Sequence, residues 1–146
     1  MRIAIIAVGK VKQADLRASL DDYLGRIRHY AGCDEVELKD GNERELTERF
    51  ERVLPARGNV IALEAGGRSY DSAGFARYVG QCEHGAVPSV AFLIGGSYGL
   101  PAVIVKRADF SLSLSQLTFP HRLARVMLAE QLYRAFTILR GEPYSH

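Results

Sequence analysis

The run SVAFLIGG, Ser89 to Gly96, constrains the fold more than any other stretch of the chain. Its centre, Val90 to Ile94, has five consecutive apolar residues, so a strand built from them has no polar alternation to offer solvent and needs cover on both faces. The opening RIAIIAV, closed by Gly9, reads in the same way as a buried first strand. Such strands belong to parallel sheets whose crossover connections lay helices on the two faces.

The intervening segments supply those helices. Leu16, Leu20, Tyr23, Leu24 and Ile27 fall at helical spacing and predict a helix from Ala14 to about Tyr30. Leu46, Phe50, Val53 and Leu54 mark a second over Glu43 to Leu54, with Glu45–Arg49 and Glu48–Arg52 as i,i+4 pairs, and Pro55 to Gly58 ends it. AGGRSYDS, Ala65 to Ser72, reads as a loop offering Asp71 or Ser72 as N-cap to a third helix through Phe75, Tyr78, Val79 and Cys82. Pro101 opens a short helix at its first position, and Pro120 starts a last one running to about Arg140. Among these, DEVELKD alternates as a half-exposed or edge strand, NVIALE is a short apolar strand ending near Leu63, and DFSLSLS, Asp109 to Ser115, alternates as a strand. The order predicts an α/β sandwich in one domain, 1–146, with no dividing linker.

The formal charge of +2 does not advertise nucleic acid, yet 15 of the 19 basic residues are arginine, whose planar fork suits phosphate. Charge alone therefore leaves such a partner open. No apolar run approaches the roughly 20 residues of a membrane span, and no secretory pattern follows Arg2, so the expectation is a soluble cytoplasmic protein. Cys33 and Cys82 form neither a CxxC unit nor a disulfide framework and read as buried thiols. His29, His84 and His146 have no carboxylate or cysteine at ligand spacing, which argues against a metal.

The glycine turn in FLIGGSYGLP sits at the carboxyl end of a strand, where open α/β sheets bind ligands. A phosphate loop would add Lys and a hydroxyl residue after the last glycine, and both are missing. A dinucleotide fingerprint would follow the first strand, where VGKVKQAD has one glycine, and no acidic residues stand there for a phosphoacceptor site. The turn is left as close backbone approach to another ligand or as a tight corner needing positive φ. His121 directly follows Pro120, and a helix N-terminus disfavours the imidazolium, which suits a neutral base as well as a packing or capping residue. The last helix carries Leu128, Leu132, Phe136 and Leu139, with Glu130 one turn before Arg134, and needs cover from the core or from a second copy.

Taken in order along essentially the whole chain, IAVGK, FLIGGSYGL, LSLSQLTFPHRLARVMLAEQLYRAF and the terminal GEPYSH closely resemble the RlmH (YbeA-like) family of SPOUT methyltransferases. The resemblance implies a mostly parallel α/β sheet with helices on both faces and a C-terminal trefoil knot. It also implies an obligate homodimer and S-adenosyl-L-methionine as methyl donor, without a metal. The cofactor loops it implies follow the strand ending at Leu63, comprise Gly95 and Gly96, and run through Ser115, Gln116, Leu117, Thr118, Phe119 and Pro120.

The implied substrate is a pseudouridine in the helix 69 hairpin loop of 23S ribosomal RNA, in the assembled large subunit or whole ribosome, methylated at N3. That chemistry asks for positioning and one base. On this footing His121 or Tyr144 contacts the target base, while Arg125 and Arg134 bind RNA phosphate or fix the tail across the dimer. Family members commonly end in proline or alanine, then Tyr-His and a basic residue, whereas this chain ends Pro143, Tyr144, Ser145, His146. The altered tail motivates one alternative, a non-enzymatic knotted regulator that binds S-adenosylmethionine or a nucleotide. Low net charge and no appended RNA-binding domain predict weak methylation of naked rRNA fragments, with affinity drawn from the dimer and from the shape of the ribosome.

Overall fold

The computed structural model describes residues 1–144. Strands and helices alternate as β1 (Arg2–Val8), α1 (Ala14–Ile27), β2 (Gly32–Leu38), α2 (Glu43–Val53), β3 (Asn59–Ser69), α3 (Ser72–His84), β4 (Ser89–Ile94), α4 (Ala102–Arg107), β5 (Phe110–Ser113) and α5 (His121–Arg140). All pairings are parallel, in the order β2-β1-β4-β3-β5, so the unbroken apolar run of β4 lies at the centre and alternating β2 at an edge.

Two-residue periodicity divides the sheet between two cores. Ile3, Ile5, Val90, Phe92 and Ile94 face α1, α3 and α5. Ile6, Val8, Ala91 and Leu93 face Leu46 and Phe50 of α2 and Ile104 of α4. Helix α5 is apolar around most of its circumference because it packs on both α1 and α3. Its cover comes largely from the monomer, while Leu123, Met127 and Ile138 stay exposed.

Local chemistry explains most boundaries. Asn42 and Glu45 form a reciprocal capping box at the start of α2, and Asp71 caps α3 by accepting from the Gly74 amide. The Glu45–Arg49 pair forms at 3.7 Å, whereas Glu48 pairs with Arg44. Pro101 and Pro120 stand one residue earlier than a first helical position, as N-caps. Cys33 and Cys82 are free buried thiols, and burial pushes the Cys33 thiol up to about 11.

The loop expected at Ala65 to Ser72 is corrected. Strand β3 runs on to Ser69 by way of an irregularity in its ladder with β5. Among the described residues, no helix is long and apolar enough to cross a membrane, and no three His, Cys, Asp or Glu side chains cluster as metal ligands.

Candidate functional site

Because every strand is parallel, the loops after β3, β4 and β5 leave the same edge of the sheet and converge. They enclose a cleft lined by Leu63, Glu64 and Ala65, by Gly95, Gly96 and Gly99, and by Ser115, Leu117, Thr118, Phe119 and His121. In the glycine turn the Gly99 amide donates to the Gly96 carbonyl at 3.0 Å, and Gly99 has a φ of 80°. Gly95 has no positive φ; its glycine is required by space, since a β-carbon there would lie 2.6 Å from the Leu100 nitrogen and 2.7 Å from the Gly99 oxygen. The turn is thus a tight corner and a cleft wall at once.

The wall expected after the strand ending at Leu63 is built by a bulge in β3 that the sequence does not announce. Leu63 and Arg68 both pair with Leu112, so residues 64–67 are thrown out of the ladder as a bulge. Ser113 Oγ pins it by donating to the Ala65 carbonyl at 2.9 Å. Gly67 passes so close to β5 that a β-carbon would meet the Ser111 carbonyl and fall 2.9 Å from the Leu112 nitrogen. The result places Glu64 and Ala65 on the cleft wall.

In the third loop the Leu117 amide donates to Ser115 Oγ at 3.0 Å, and Leu117 lines the cleft while remaining 73% exposed. Gln116 and Pro120 fall outside the lining. Pro120 instead accepts from the Leu123 and Ala124 amides and starts α5. This sets His121 against Gly9, whose φ is 85° and where an added β-carbon would sit 3.7 Å from the imidazole Nε2. The histidine is held below the ordinary value of 6.5, first by burial and then by the charges of Arg125 and Arg122, with Asp40 opposing. The direction agrees with the expectation from the helix terminus, but burial and two cations are the causes.

One turn further, Arg125 is 0% exposed. Its Nη1 donates to Glu35 Oε2 at 2.9 Å and to Glu37, and its Nη2 to the Gly9 carbonyl at 3.0 Å. Arg17 holds the other Glu35 oxygen at 2.6 Å. The Arg125 Nε has no hydrogen-bond partner among the described residues, but a guanidinium buried in this way offers no face to a polyanion, which corrects the expected phosphate or cross-dimer contact of Arg125. It ties α5 to the ends of β1 and β2 beneath His121.

Tyr144 is not brought to His121. Its hydroxyl donates to Glu130 Oε2 at 2.9 Å, and Arg134, paired to the same carboxylate at 2.9 Å, lies over its ring. Burial, followed by hydrogen bonds to Tyr23 and Glu130, raises this phenol well above its ordinary range, so Tyr144 is a proton donor and not a ready base. Glu130 also lines a second cavity of about 520 Å³ among α1, α3 and α5, which shares Leu112 and Leu114 with the cleft. Ser145 and His146, on which the altered-tail reading turns, lie outside the described residues.

Fold and cleft together define a class: a parallel α/β protein with a loop-built cleft at the carboxyl edge of its sheet, where proteins of this architecture bind ligands. A family model described as a predicted SPOUT methyltransferase matches residues 1–146. The chain is 51% identical to Ribosomal RNA large subunit methyltransferase H of Sorangium cellulosum (strain So ce56), over 100% of both chains. It is 42% identical to the protein of that name from Gemmatimonas aurantiaca, over 99% of each, and 39% identical to that of Geobacter sulfurreducens, over 100% of each. In fold it is similar to a putative methylase family protein from Neisseria gonorrhoeae, with a TM-score of 0.60 at 12% identity, covering 99% of this chain and 85% of the other. The chain belongs to the SPOUT methyltransferase family.

Proposed function

We propose that the protein methylates 23S ribosomal RNA of the large subunit, at N3 of a pseudouridine in the helix 69 hairpin loop, using S-adenosyl-L-methionine. The rRNA reading is supported by full-length relatives that carry that activity in their names. The observation that carries the site assignment is the cleft itself: a wall of glycine backbone opposite Leu117 and Phe119, with a histidine kept neutral at its rim.

The lining fits an adenosine-bearing cofactor. Gly95 and Gly96 would let main-chain amides and carbonyls approach an adenine edge, Leu63, Leu117 and Phe119 would enclose the ring, and Glu64 would accept from ribose hydroxyls. When bound, the cofactor supplies a methyl group on a sulfonium. His121 takes the proton that the acceptor nitrogen gives up, and Arg125 keeps the imidazole in place through Gly9. We read the chain as half of a homodimer with a knotted C-terminal segment; exposed Leu123 and Met127 on α5 offer apolar surface to a second copy.

Labelled S-adenosylmethionine incubated with large subunits or whole ribosomes from a strain lacking the enzyme is expected to label 23S rRNA at a single pseudouridine. No incorporation would sink the reading. Because the imidazole is held below 6.5, the neutral form persists through neutrality, and the acid limb of the rate lies below the ordinary histidine value. His121→Ala is expected to lose that limb and about 10²-fold or more in rate while still binding cofactor. An unchanged rate would show that another group is the base.

A further inference from the structure

We propose that the substrate RNA is gripped by a basic lip around Gly9, where Lys10, Lys12, Lys39 and Arg122 hold phosphates and Tyr98 stacks on a base; this rests on the rRNA reading above. Gly9 is the hub. Its amide donates to the Leu38 carbonyl at 2.7 Å, which sets Lys39 beside the loop that starts at Lys10. Val11 is buried at 5% exposure and anchors that loop, so Lys10 and Lys12 are exposed on either side of it. The His121 imidazole faces Gly9, with Nε2 3.7 Å from where a β-carbon would stand, and Arg122 acts on that imidazole from the same corner.

These four cations differ from most of the arginines. Among the described residues none of them has a carboxylate within 4.0 Å, whereas Arg2, Arg17, Arg26, Arg49, Arg134 and Arg140 are all paired. The two acidic side chains at the end of β2, Glu35 and Glu37, are already held by Arg17 and Arg125. Asp40, its Oδ1 accepting from the Gly41 amide at 2.8 Å, and Glu43 are the opposing charges beside Lys39 and Tyr98. A polyanion arriving here meets cations that need not leave a partner first.

Tyr98 completes the lip. It occupies the tip of the glycine turn at 101% exposure, so it contributes nothing to the core. It lines a hollow together with Asp40, Glu43 and Gly96, and Asp40 directly follows Lys39, which places Tyr98 on the Lys39 side of the cleft. A bare aromatic ring at the cleft rim, with exposed cations on the neighbouring loops, is a combination that holds unpaired nucleotides, the ring taking a base face and the cations the backbone. The lip borders the cleft through Gly96 and His121, so RNA held on it is delivered to the methyl-transfer site.

The test measures kcat and KM for large subunits over a range of KCl, with cofactor affinity followed by titration calorimetry. Lys10→Ala, Lys12→Ala and Lys39→Ala combined are expected to raise KM at least about tenfold. The dependence of log KM on log salt should flatten by about 0.7–0.9 per phosphate lost, with kcat and cofactor Kd within about twofold. Tyr98→Ala should raise KM about tenfold without changing the salt slope, and Tyr98→Phe should restore it. Lys106→Ala with Arg107→Ala, exposed cations at the end of α4 on the opposite edge of the sheet, should behave as wild type. Wild-type KM and slope in the triple variant, or an equal loss in the opposite-edge pair, overturns the lip. If wild type itself labels neither large subunits nor ribosomes, the rRNA reading fails and the lip with it.

Discussion

Gly95→Ala is expected to abolish cofactor-dependent methyl transfer and to weaken cofactor binding about 100-fold or more, in a protein that still folds. The added β-carbon meets main chain on the far limb of the turn, with the Leu100 nitrogen at 2.6 Å and the Gly99 oxygen at 2.7 Å, and main chain cannot rotate away as a side chain could. The turn must open, which moves Gly96 and Gly99 and with them the cleft wall at the end of β4. Overpacking of this kind costs about 1–3 kcal/mol, which lowers Tm by several degrees in a domain of this size. Gly25→Ala is the matched control. Nothing lies within 4 Å of the new methyl group on α1, so it should stabilise by about 0.5–1 kcal/mol and leave activity alone. Calorimetric titration with S-adenosylmethionine decides the matter: wild-type affinity in Gly95→Ala would place the cofactor elsewhere.

How far the sequence could be read follows from which contacts are local. The central place of β4 and the edge place of β2 were legible because burial on two faces or one writes itself into the run or alternation of apolar residues. The bulge at 64–67 was not, because it exists only as a mismatch between β3 and a strand more than forty positions later, with Leu63 and Arg68 sharing Leu112. Glu64 therefore escaped notice as a cleft residue. The cofactor loops came from motif resemblance, since periodicity says nothing of which loops converge. Arg125 was misjudged for a general reason: arginine is seldom fully buried, and fifteen of them in the chain favoured a phosphate role. A signal was present. Arg125 stands three and four positions before Leu128 and Ala129 and seven before Leu132, so it lies on the core stripe of α5. Glu35 and Glu37, two apart on β2, share one face of that strand.

Arg125→Met is expected to destabilise the fold strongly. It leaves Glu37 with Arg17 at 3.6 Å and the Gly9 carbonyl without its donor, although Glu35 keeps Arg17 at 2.6 Å. Breaking a fully buried ion pair costs about 3–5 kcal/mol. The carboxylates here are 13% and 27% exposed and retain one arginine, so a loss of roughly 2–4 kcal/mol is expected. Most of that cost is two partly buried carboxylates left to share one arginine, so adding Glu35→Gln and Glu37→Gln should recover part of it in a mutant cycle. Activity should fall as well, because the carbonyl beneath His121 is released. The charge and the fork can then be separated. Arg125 is one of the cations that hold the imidazole below its ordinary value, so its removal should move the acid limb of the rate to higher pH. Arg125→Lys keeps the charge but cannot reach Glu35, Glu37 and the Gly9 carbonyl with one planar fork. It should therefore lose stability while leaving the acid limb near the wild-type position. If Arg125→Met melts with wild type and its acid limb has not moved, the guanidinium neither holds this corner of the sheet nor sets the histidine.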